Sequence, residues 1–340
     1  MKSNKIALGI ESTAHTWGVG LVDFTGKVLS LVNDVYVPEK GGLHPALVRE
    51  QHLNNFMRVI NDALTQAKCS IKDINLIAFS QSPGLGPVLK IGALVARMLG
   101  QLLKIPIVGV NHCIAHIEIG RLLCNIDDPL SLYVSGGNTI VSAYESGRYQ
   151  IFGETLDIPI GNLLDSFARE AEISHPGGPK IENLAKKSNR YLTLPYVVKG
   201  MDLSFSGLFT AAKRLLESEK YEKEYNLCDI AFSLQETAFA MLTEVTERAI
   251  AHTEKTEVLL TGGVAANKRL QEMINSISDE HNAKFEVVPL KYAGDNGAMI
   301  AWTGILRYKS KGEFNLAETI INPKERMDNI SIPWRSKVIN

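Results

Sequence analysis

Two halves of this chain predict the same order of elements, and this repeat limits the folds open to the chain more than any other feature. Each half begins with three strands in succession, followed by alternating helices and strands. In the first half the elements are predicted at residues 6–10, 19–23, 28–35, 44–67, 76–79, 91–103, 106–110 and from 112 onward. In the second half they are predicted at residues 130–134, 139–144, 149–154, 160–252, 258–260, from 266, at 285–288 and from 294. Apolar strands that alternate with helices are typical of a sheet covered on both faces, so the repeat predicts a duplicated α/β fold.

The duplication also predicts how the 340 residues divide into domains. A chain of this length suits two domains of similar size better than one core. We expect an N-terminal lobe over residues 1–125 and a C-terminal lobe over 126–325, with a helical insertion at about 156–255. Residues 326–340 lack periodicity and are expected to form an extended strap or a linker. Similar lobes are expected to leave a central cleft for ligands, faced by the turns at 11–20 and 135–139.

Composition and charge narrow the class of protein. The net charge is −1, so a polyanionic substrate would require a local basic patch or a partner subunit. Two small basic clusters are interpreted as solvated helix faces, namely Lys186, Lys187 and Arg190, and Arg307, Lys309 and Lys311. The four cysteines form no C-x-x-C pair. No apolar run reaches eighteen residues and no signal peptide is indicated, so we expect a cytoplasmic protein without a membrane partner.

Two glycine-rich segments are candidates for binding an anionic ligand. Residues 135–139 read Ser-Gly-Gly-Asn-Thr between two predicted strands, where glycines let backbone amides approach an anion, although a plain β-turn fits equally well. Residues 261–267 read Thr-Gly-Gly-Val-Ala-Ala-Asn between a strand and a helix, a geometry that suits phosphate or ribose. The spacing is not that of a P-loop. Asn267 could instead cap the following helix.

His112 and His116 are candidate metal ligands. They lie four residues apart at the start of a predicted helix, so they share one face and could bind one ion. Asp295, at a glycine-punctuated helix start, would supply an anionic oxygen, and the three together suit Fe²⁺ or Zn²⁺. The alternatives are two unrelated histidines and a helix cap. Cys113 stands where an H-E-x-x-H peptidase has its glutamate.

Acidic and glycine residues of the second half are further candidates for the rim of the ligand site. Asp165 and Glu182 could bind ribose or amide donors, and Gly178 lies in a Gly-Gly-Pro turn before Glu182. Each acid, taken alone, is more often an exposed helix charge.

Ordered motifs along nearly the whole chain resemble the TsaD family and its archaeal and eukaryotic counterpart, the catalytic subunit of the KEOPS complex. The motifs are GIESTAHT at 9–16, HP at 44–45, SPGLGP at 82–87, NHCIAH at 111–116, YVSGGNT at 133–139, HPGGP at 175–179, LSFSGL at 203–208, TGGVAAN at 261–267 and GDNGAM at 294–299. The TAHT form of the first motif is similar to the archaeal branch. Trp17 stands where phenylalanine is expected, a change that concerns packing.

The resemblance implies a duplicated actin/Hsp70/sugar-kinase fold and an acyltransferase that modifies tRNA. The implied reaction moves a threonylcarbamoyl group from threonylcarbamoyl-AMP to the exocyclic amine of the adenine 3′ of the anticodon, in tRNAs reading codons that begin with A. The implied metal, Fe²⁺ ahead of Zn²⁺, is held by His112, His116 and Asp295, with Tyr133 as a further ligand. An ATP- or AMP-type nucleotide is an implied ligand. The implied substrate contacts are Tyr133, Val134, Ser135, Gly136, Gly137, Asp165, Gly178, Glu182 and Asn267.

The implied partners are tRNA and the other KEOPS subunits, including a small atypical protein kinase and a small dimerising subunit. No side chain stands out as the general base, although Glu11 and His15 are expected to face the site. Two other classes of function remain open at this point. One is a metallopeptidase, which the missing glutamate disfavours, and the other is a non-catalytic ATP-binding scaffold.

Overall fold

The computed structural model describes residues 5–38, 44–312 and 315–335. The chain divides into two compact units. Unit 1 comprises Met1–Leu123, Glu145–Tyr149 and Asp295–Asn340, and unit 2 comprises Cys124–Tyr144 and Gln150–Gly294.

Unit 1 is built on a five-stranded sheet. Its elements are β1 (Ile6–Glu11), β2 (Thr16–Asp23), β3 (Val28–Val35), α1 (Pro45–Ala67), β4 (Ile74–Ser82), α2 (Gly86–Leu103), β5 (Ile107–Asn111) and α3 (His112–Cys124). The strand order is β3-β2-β1-β4-β5, with β1 antiparallel to β2 and parallel to β4. Strand β5 leads directly into α3, so the two candidate histidines follow the carboxyl end of a buried parallel strand.

Unit 2 begins with three successive strands, as unit 1 does, but the elements that follow differ from those of unit 1. Its elements are β6 (Leu130–Val134), β7 (Thr139–Glu145), β8 (Arg148–Glu154), α4 (Ile160–Glu170), α5 (Gly177–Ala185), β9 (Val198–Lys199), β10 (Asp202–Leu203), α6 (Ser206–Leu216), α7 (Leu227–Thr253), β11 (Glu257–Thr261), α8 (Lys268–Glu280), β12 (Lys284–Val287) and α9 (Leu290–Ala293). The sheet order is β12-β11-β6-β7-β8, and the small hairpin β9-β10 is separate. Apolar residues of α7 form much of this unit's core.

A last helix, α10 (Gly297–Lys311), belongs to unit 1. It crosses β1 and β2 at glycines, and a Cβ added to Gly297 would lie 2.2 Å from the backbone nitrogen of Gly20. A Cβ on Gly9 would lie 2.1 Å from the carbonyl oxygen of Gly297. Because only glycine permits this approach, residues from Asp295 onward join the first unit. The predicted division at residue 325 differs from the structure here.

The prediction of one long helical stretch over residues 160–252 is wrong in its middle. Helices α4, α5, α6 and α7 occupy parts of it, but residues 187–205 contain no helix and include the hairpin β9-β10. The helices expected to start near residues 266 and 294 begin at Lys268 and Gly297. Pro195 removes a backbone donor, and tertiary hydrogen bonds replace helical ones in this region.

The segment that follows α10 lies along unit 1. The Gly84 amide donates to the Pro323 carbonyl at 3.1 Å, and the Ile332 amide donates to the Gly147 carbonyl at 2.9 Å. Ile332 is fully buried. Residues 336–340 of the predicted strap lie outside the described residues.

Helix α2 is the one helix in the described ranges that is long and apolar enough to cross a membrane. Half of its residues are buried in the fold, as in the core helix of a soluble protein, so the feature is weak evidence for a membrane span.

Candidate metal centre and substrate-binding residues

Three side chains of unit 1 converge at the start of α3. The Nε2 atoms of His112 and His116 each lie 3.3 Å from Oδ1 of Asp295. One donor atom from each residue lies within 4.8 Å of the others, and both histidines are buried. Asp295 is not the cap of α10, because the side chain of Asn296 accepts the Met299 amide at that helix end. The predicted meeting of these three distant residues is therefore present.

Glu11, at the end of β1, orients the first histidine. It is fully buried, and its Oε2 lies 2.9 Å from Nδ1 of His112. Its other oxygen accepts from the backbone amide and the hydroxyl of Thr13 at 2.7 and 2.5 Å. The contact of Nδ1 with Glu11 assigns a proton to Nδ1 of His112, so Nε2, the ring nitrogen nearer to Asp295, is the atom that could bind a metal ion. Glu11 is thus a positioning residue with its oxygens already engaged.

The electrostatics give these groups the protonation states that a metal requires. Burial alone would raise the pKa of Asp295, but the neighbouring His112 and His116 outweigh it and hold that pKa well below its usual range. Burial lowers the pKa of His116 from the ordinary histidine value. At neutral pH the site therefore offers an ionised carboxylate and a neutral imidazole at His116.

The donor set fits a divalent transition metal. Two imidazole nitrogens and one carboxylate oxygen suit Fe²⁺ or Zn²⁺, and a carboxylate behind a ligating histidine is typical of such sites. Cys113 does not replace the missing glutamate of a peptidase. Burial raises the pKa of its thiol to about 11, so the thiol stays protonated at neutral pH.

His15, the other candidate base, has a partly exposed side chain. It makes no side-chain hydrogen bond within the described ranges, and its role stays a prediction.

In unit 2 the glycine turn at residues 135–139 is stabilised by hydrogen bonds within the turn. Ser135 Oγ accepts from the amides of Gly137 and Asn138 at 3.2 and 3.0 Å, as in a structural turn. A Cβ added to Gly136 or Gly137 would meet nothing within 4 Å, so one side of the turn is open. The adjoining Tyr133 and Val134 are buried in β6.

Two further glycines bring distant segments against this turn. Gly262 has a φ of +97°, and a Cβ there would lie 2.2 Å from the Val134 carbonyl oxygen. A Cβ on Gly161, in the first turn of α4, would lie 2.6 Å from the Ser135 carbonyl oxygen. The ends of β6 and β11 and the start of α4 therefore meet within unit 2.

Asn267 is the N-cap of α8. Its Oδ1 accepts from the Arg269 and Leu270 amides at 3.0 and 3.3 Å, and its Nδ2 donates to Gln235 Oε1 at 2.9 Å. The capping alternative is thus correct for the side chain, while contact with a substrate stays a prediction.

The acidic candidates of unit 2 are tied to backbone amides. Asp165 Oδ1 accepts the Gly177 amide at 2.7 Å, one residue before Gly178. Glu182 accepts Lys186 Nζ at 2.7 Å and the Lys268 amide at 3.3 Å, at the start of α8. The two acids are therefore not isolated surface charges. Asp165 lies in α4, and Gly178 and Glu182 lie in α5.

The sequence prediction missed how Glu11 acts. The signal available was a carboxylate that ends a buried strand, but its partner His112 is 101 residues away. It also missed Gln235, whose amide group holds Asn267 from the middle of α7.

Comparison with known proteins decides the family. A family model described as TsaD, tRNA N6-adenosine threonylcarbamoyltransferase, matches residues 27–302. The chain belongs to the TsaD family. A relative from Thermococcus sibiricus, named tRNA N6-adenosine threonylcarbamoyltransferase, is 54% identical over 329 residues, covering 97% of this chain and 100% of the relative.

Another relative of this TsaD-family chain is longer. The probable bifunctional tRNA threonylcarbamoyladenosine biosynthesis protein of Methanothermobacter thermautotrophicus is 54% identical over 329 residues. The match covers 97% of this chain, and the chain spans 61% of the length of that relative.

Solved structures that resemble this TsaD-family chain confirm the fold class. HypF from T. kodakarensis matches with a TM-score of 0.63 and 15% identity, over 94% of this chain and 49% of that one. Component A of the Acidaminococcus fermentans (R)-2-hydroxyglutaryl-CoA dehydratase matches with a TM-score of 0.56 and 15% identity, over 90% of this chain and 99% of that one. The chain has the predicted α/β fold of the actin/Hsp70/sugar-kinase type.

Proposed function

We propose that this chain transfers a threonylcarbamoyl group from threonylcarbamoyl-AMP to tRNA. The acceptor is the exocyclic amine of the adenine 3′ of the anticodon, in tRNAs that read codons beginning with A. One observation supports this proposal most directly. The side chains of His112, His116 and Asp295 converge, and Glu11 contacts the far ring nitrogen of His112, in a chain that matches the TsaD family over residues 27–302. The names of the Thermococcus relatives agree with this reaction.

The transfer forms one bond and breaks another. The adenine nitrogen bonds to the carbamoyl carbon, the bond from that carbon to the phosphate oxygen breaks, AMP leaves with the electron pair of that bond, and the amine releases a proton to solvent. His112, His116 and Asp295, with Tyr133 as a proposed fourth ligand, would hold Fe²⁺ in preference to Zn²⁺. Such an ion supplies charge stabilisation to the carbonyl and phosphate oxygens. Glu11 fixes the ring of His112 so that Nε2 stays available.

Residues of unit 2 are proposed to bind the adenylate, or ATP or AMP in its place. The open side of the glycine turn lets a ligand approach the backbone closely, and the α4 N-terminus adds a partial positive charge beside it. Asp165 and Glu182 are suited to ribose hydroxyls and to the N–H of the carbamoyl group. The proposed contacts are Tyr133, Val134, Ser135, Gly136, Gly137, Asp165, Gly178, Glu182 and Asn267.

We further propose that the chain acts in the cytoplasm as the catalytic subunit of a KEOPS-type complex. A net charge of −1 is low for a protein that binds tRNA alone, so partner subunits would supply part of the binding surface. The proposed partners are a small atypical protein kinase and a small dimerising subunit. A relative named bifunctional is consistent with such a partner encoded in the same chain.

A reconstitution with threonylcarbamoyl-AMP, tRNA and the partner subunits tests this function. Nucleoside mass spectrometry should detect threonylcarbamoyladenosine with the wild-type chain, and Asp295→Ala should lower its yield by at least 100-fold. The matched control is Asp34→Ala. Asp34 is a carboxylate of the same unit, and it binds Gln51, Asn55 and Arg58.

The same variants separate the alternatives. If Asp295→Ala abolishes metal binding but leaves the modification intact, the scaffold interpretation gains and metal-dependent transfer is rejected. Peptide cleavage that disappears with Asp295→Ala would instead support a peptidase, although the protonated thiol of Cys113 argues against it.

A further inference from the structure

We propose that residues 186–199 of unit 2, here called the tyrosine segment, form a contact surface for unpaired nucleotides of the tRNA anticodon loop. The inference rests on the proposed function, because it takes tRNA as the substrate. It identifies the surface that contacts the RNA and the interactions, base stacking and charge, that recognise the RNA. Two half-exposed tyrosine rings carry it, together with three cations that have no carboxylate partner among the described residues.

The tyrosine segment is held along one face of α7 by polar contacts. Ser188 Oγ donates to Asp229, and the Leu192 amide donates to Ser233 Oγ at 2.7 Å. The Tyr191 hydroxyl lies 2.8 Å from Thr237 Oγ1, and the Tyr196 hydroxyl donates to Glu244. The four partners, Asp229, Ser233, Thr237 and Glu244, recur at helical spacing along α7. The segment is therefore extended and fixed, although it has no helix of its own.

These contacts leave two aromatic faces open to solvent. Tyr191 is 51% exposed and Tyr196 is 48% exposed, while the side chain between them, Leu194, is buried in the core of unit 2. Each tyrosine hydroxyl is hydrogen-bonded to α7, while the ring itself stays half-exposed and available to a planar ligand. Proteins recognise single-stranded RNA loops by stacking unpaired bases on aromatic rings of this kind.

The charge around the rings favours a polyanion. Residues 183–201 contain no acid. Lys186 pairs with Glu182, but Lys187, Arg190 and Lys199 have no carboxylate partner in the described part of the chain. Arg190 donates instead to the backbone carbonyl of Glu224. The carboxylates of α7 nearby are engaged, since Glu236 pairs with Arg269 and Glu244 with Arg248. Within the described ranges, three positive charges without a carboxylate partner thus lie in the same segment as the two rings, on a chain of net charge −1.

The tyrosine segment is also continuous with the proposed adenylate residues of unit 2. It follows α5 directly, and its first residue, Lys186, binds Glu182 at 2.7 Å. Asn267, another proposed contact, is held by Gln235 of α7, the helix against which the segment lies. An RNA loop on this surface would therefore lie beside the elements proposed to hold the donor. Lysine is depleted in protein–protein interfaces, whereas Lys and Arg commonly contact phosphates, so the lysines of this surface favour RNA over a protein partner.

Binding of an anticodon stem-loop RNA by the full-length chain tests the proposal. Fluorescence anisotropy should show that Tyr191→Leu and Tyr196→Leu each weaken binding by about 5- to 150-fold, the range for loss of one stacked base. Tyr191→Phe and Tyr196→Phe are the matched controls and should bind within about twofold of wild type, because they keep the ring and lose only the hydroxyl. Metal affinity should be unchanged in all four variants.

The cations have a separate readout. Lys187→Ala and Lys199→Ala should each reduce the slope of log affinity against log salt by about 0.7, as expected for one lost contact to single-stranded phosphate. The control is Lys72→Ala, which replaces an exposed lysine of unit 1 and should leave the slope unaltered. In the reconstituted reaction the Tyr→Leu variants should raise the KM for tRNA and leave kcat within about twofold.

Several outcomes would overturn the proposal. It fails if the Tyr→Leu variants bind RNA like wild type, or if the Tyr→Phe variants lose as much affinity as the Tyr→Leu variants, since the hydroxyl anchor would then be all that matters. Loss of binding to the kinase or dimerising subunit with RNA binding intact would make this a protein interface. If the Tyr→Leu variants do not fold, unchanged salt slopes in Lys187→Ala and Lys199→Ala reject it. Failure of the proposed function is distinguishable, because wild type would then bind the RNA without modifying it.

Discussion

At His112 a single imidazole ring joins two carboxylates, the fully buried Glu11 on one nitrogen and the partly buried Asp295 on the other. Burying Glu11 without partners would cost several kcal/mol, and the structure offsets that cost with Thr13 and the ring proton of His112. The arrangement fixes both the tautomer and the direction of the ring. It explains why a carboxylate at the end of β1 belongs to a site whose ligands lie on α3 and before α10.

Glu11→Gln should weaken metal binding by about 10- to 100-fold, the usual cost of losing the group behind a ligating histidine. The amide keeps the size of the side chain but does not hold the Nδ1 proton as strongly. Isothermal titration of Zn²⁺ or Fe²⁺ measures the effect, with Asp34→Asn as the matched control. Equal affinities in Glu11→Gln and wild type would show that His112 needs no orienting carboxylate.

His52, on α1, is a second histidine whose environment has a measurable consequence. It is fully buried, with its ring centroid 5.4 Å from that of Trp17. Burial lowers its pKa to about 4 and outweighs the charges of Glu11 and Asp34, which act in the opposite direction. Because the folded pKa lies below the unfolded value of 6.5, its stabilising contribution is present above pH 6.5 and is lost as the pH falls towards 4.

The free energy of unfolding should therefore fall by roughly 3 kcal/mol or less between pH 6.5 and 4 through this residue. His52→Phe keeps an aromatic ring beside Trp17 and should make the profile flatter in that window. Urea unfolding of the metal-free protein at each pH measures it. His281→Gln, at the partly exposed end of α8, should retain the wild-type profile. A profile unaltered by His52→Phe would assign the acid sensitivity to other groups.

Among the elements, α3 is held by contacts with residues that are distant in the sequence. Its residue Glu118 is buried and accepts the Tyr149 hydroxyl at 2.7 Å, the indole N–H of Trp334 at 3.0 Å and Arg121 at 2.7 Å. The C-terminal segment also reaches the start of α3, because Asn111 donates to the Glu325 carbonyl at 3.4 Å and accepts the Ile114 amide at 3.2 Å. The helix that carries both histidines is thus held at two points by residues more than 200 positions later.

Trp334→Phe should cost about 1–2 kcal/mol of stability, because it removes one donor from a buried carboxylate while keeping an aromatic side chain. Metal affinity should fall with it, since Glu118 lies two residues after His116. Urea unfolding and metal titration measure the two effects. Trp302→Phe, a partly buried tryptophan of α10 without a side-chain hydrogen bond in the described ranges, is the matched control. Equal losses in both variants would show a general packing effect.

The elements also show what the sequence could and could not predict. The strands Val28–Val35 and Leu130–Val134 have the predicted bounds, because short runs rich in apolar and β-branched residues mark them in the local sequence. The tyrosine segment was expected to be helical, and its extended form depends on contacts with α7 that lie about 40 residues away. The placement of α10 depends on the close approach of Gly297 to Gly20, which no local pattern contains. Metal-ligand chemistry was readable from residue types, whereas the orientation of those ligands was not.

At the scale of the whole molecule, the two units divide the proposed chemistry. Each has its own hydrophobic core, and the three convergent metal-ligand candidates all belong to unit 1. The proposed adenylate residues belong to unit 2, and so does Tyr133. Tyr133 is therefore the one predicted metal ligand that belongs to unit 2.

Hydrogen exchange tests this division. A metal ion bound by His112, His116 and Asp295 should slow amide exchange in β1, in α3 and at the start of α10, because ligand binding stabilises the segments that hold it. AMP should slow exchange in the glycine turn after β6 and at the starts of α4 and α8. If Tyr133 ligates the metal, protection by the ion extends into β6, and Tyr133→Phe removes that part while leaving α3 protected. Asp295→Ala should abolish every effect of the metal and none of AMP. Metal protection that is absent from α3 would contradict the assignment of His112 and His116, whatever the behaviour of β6.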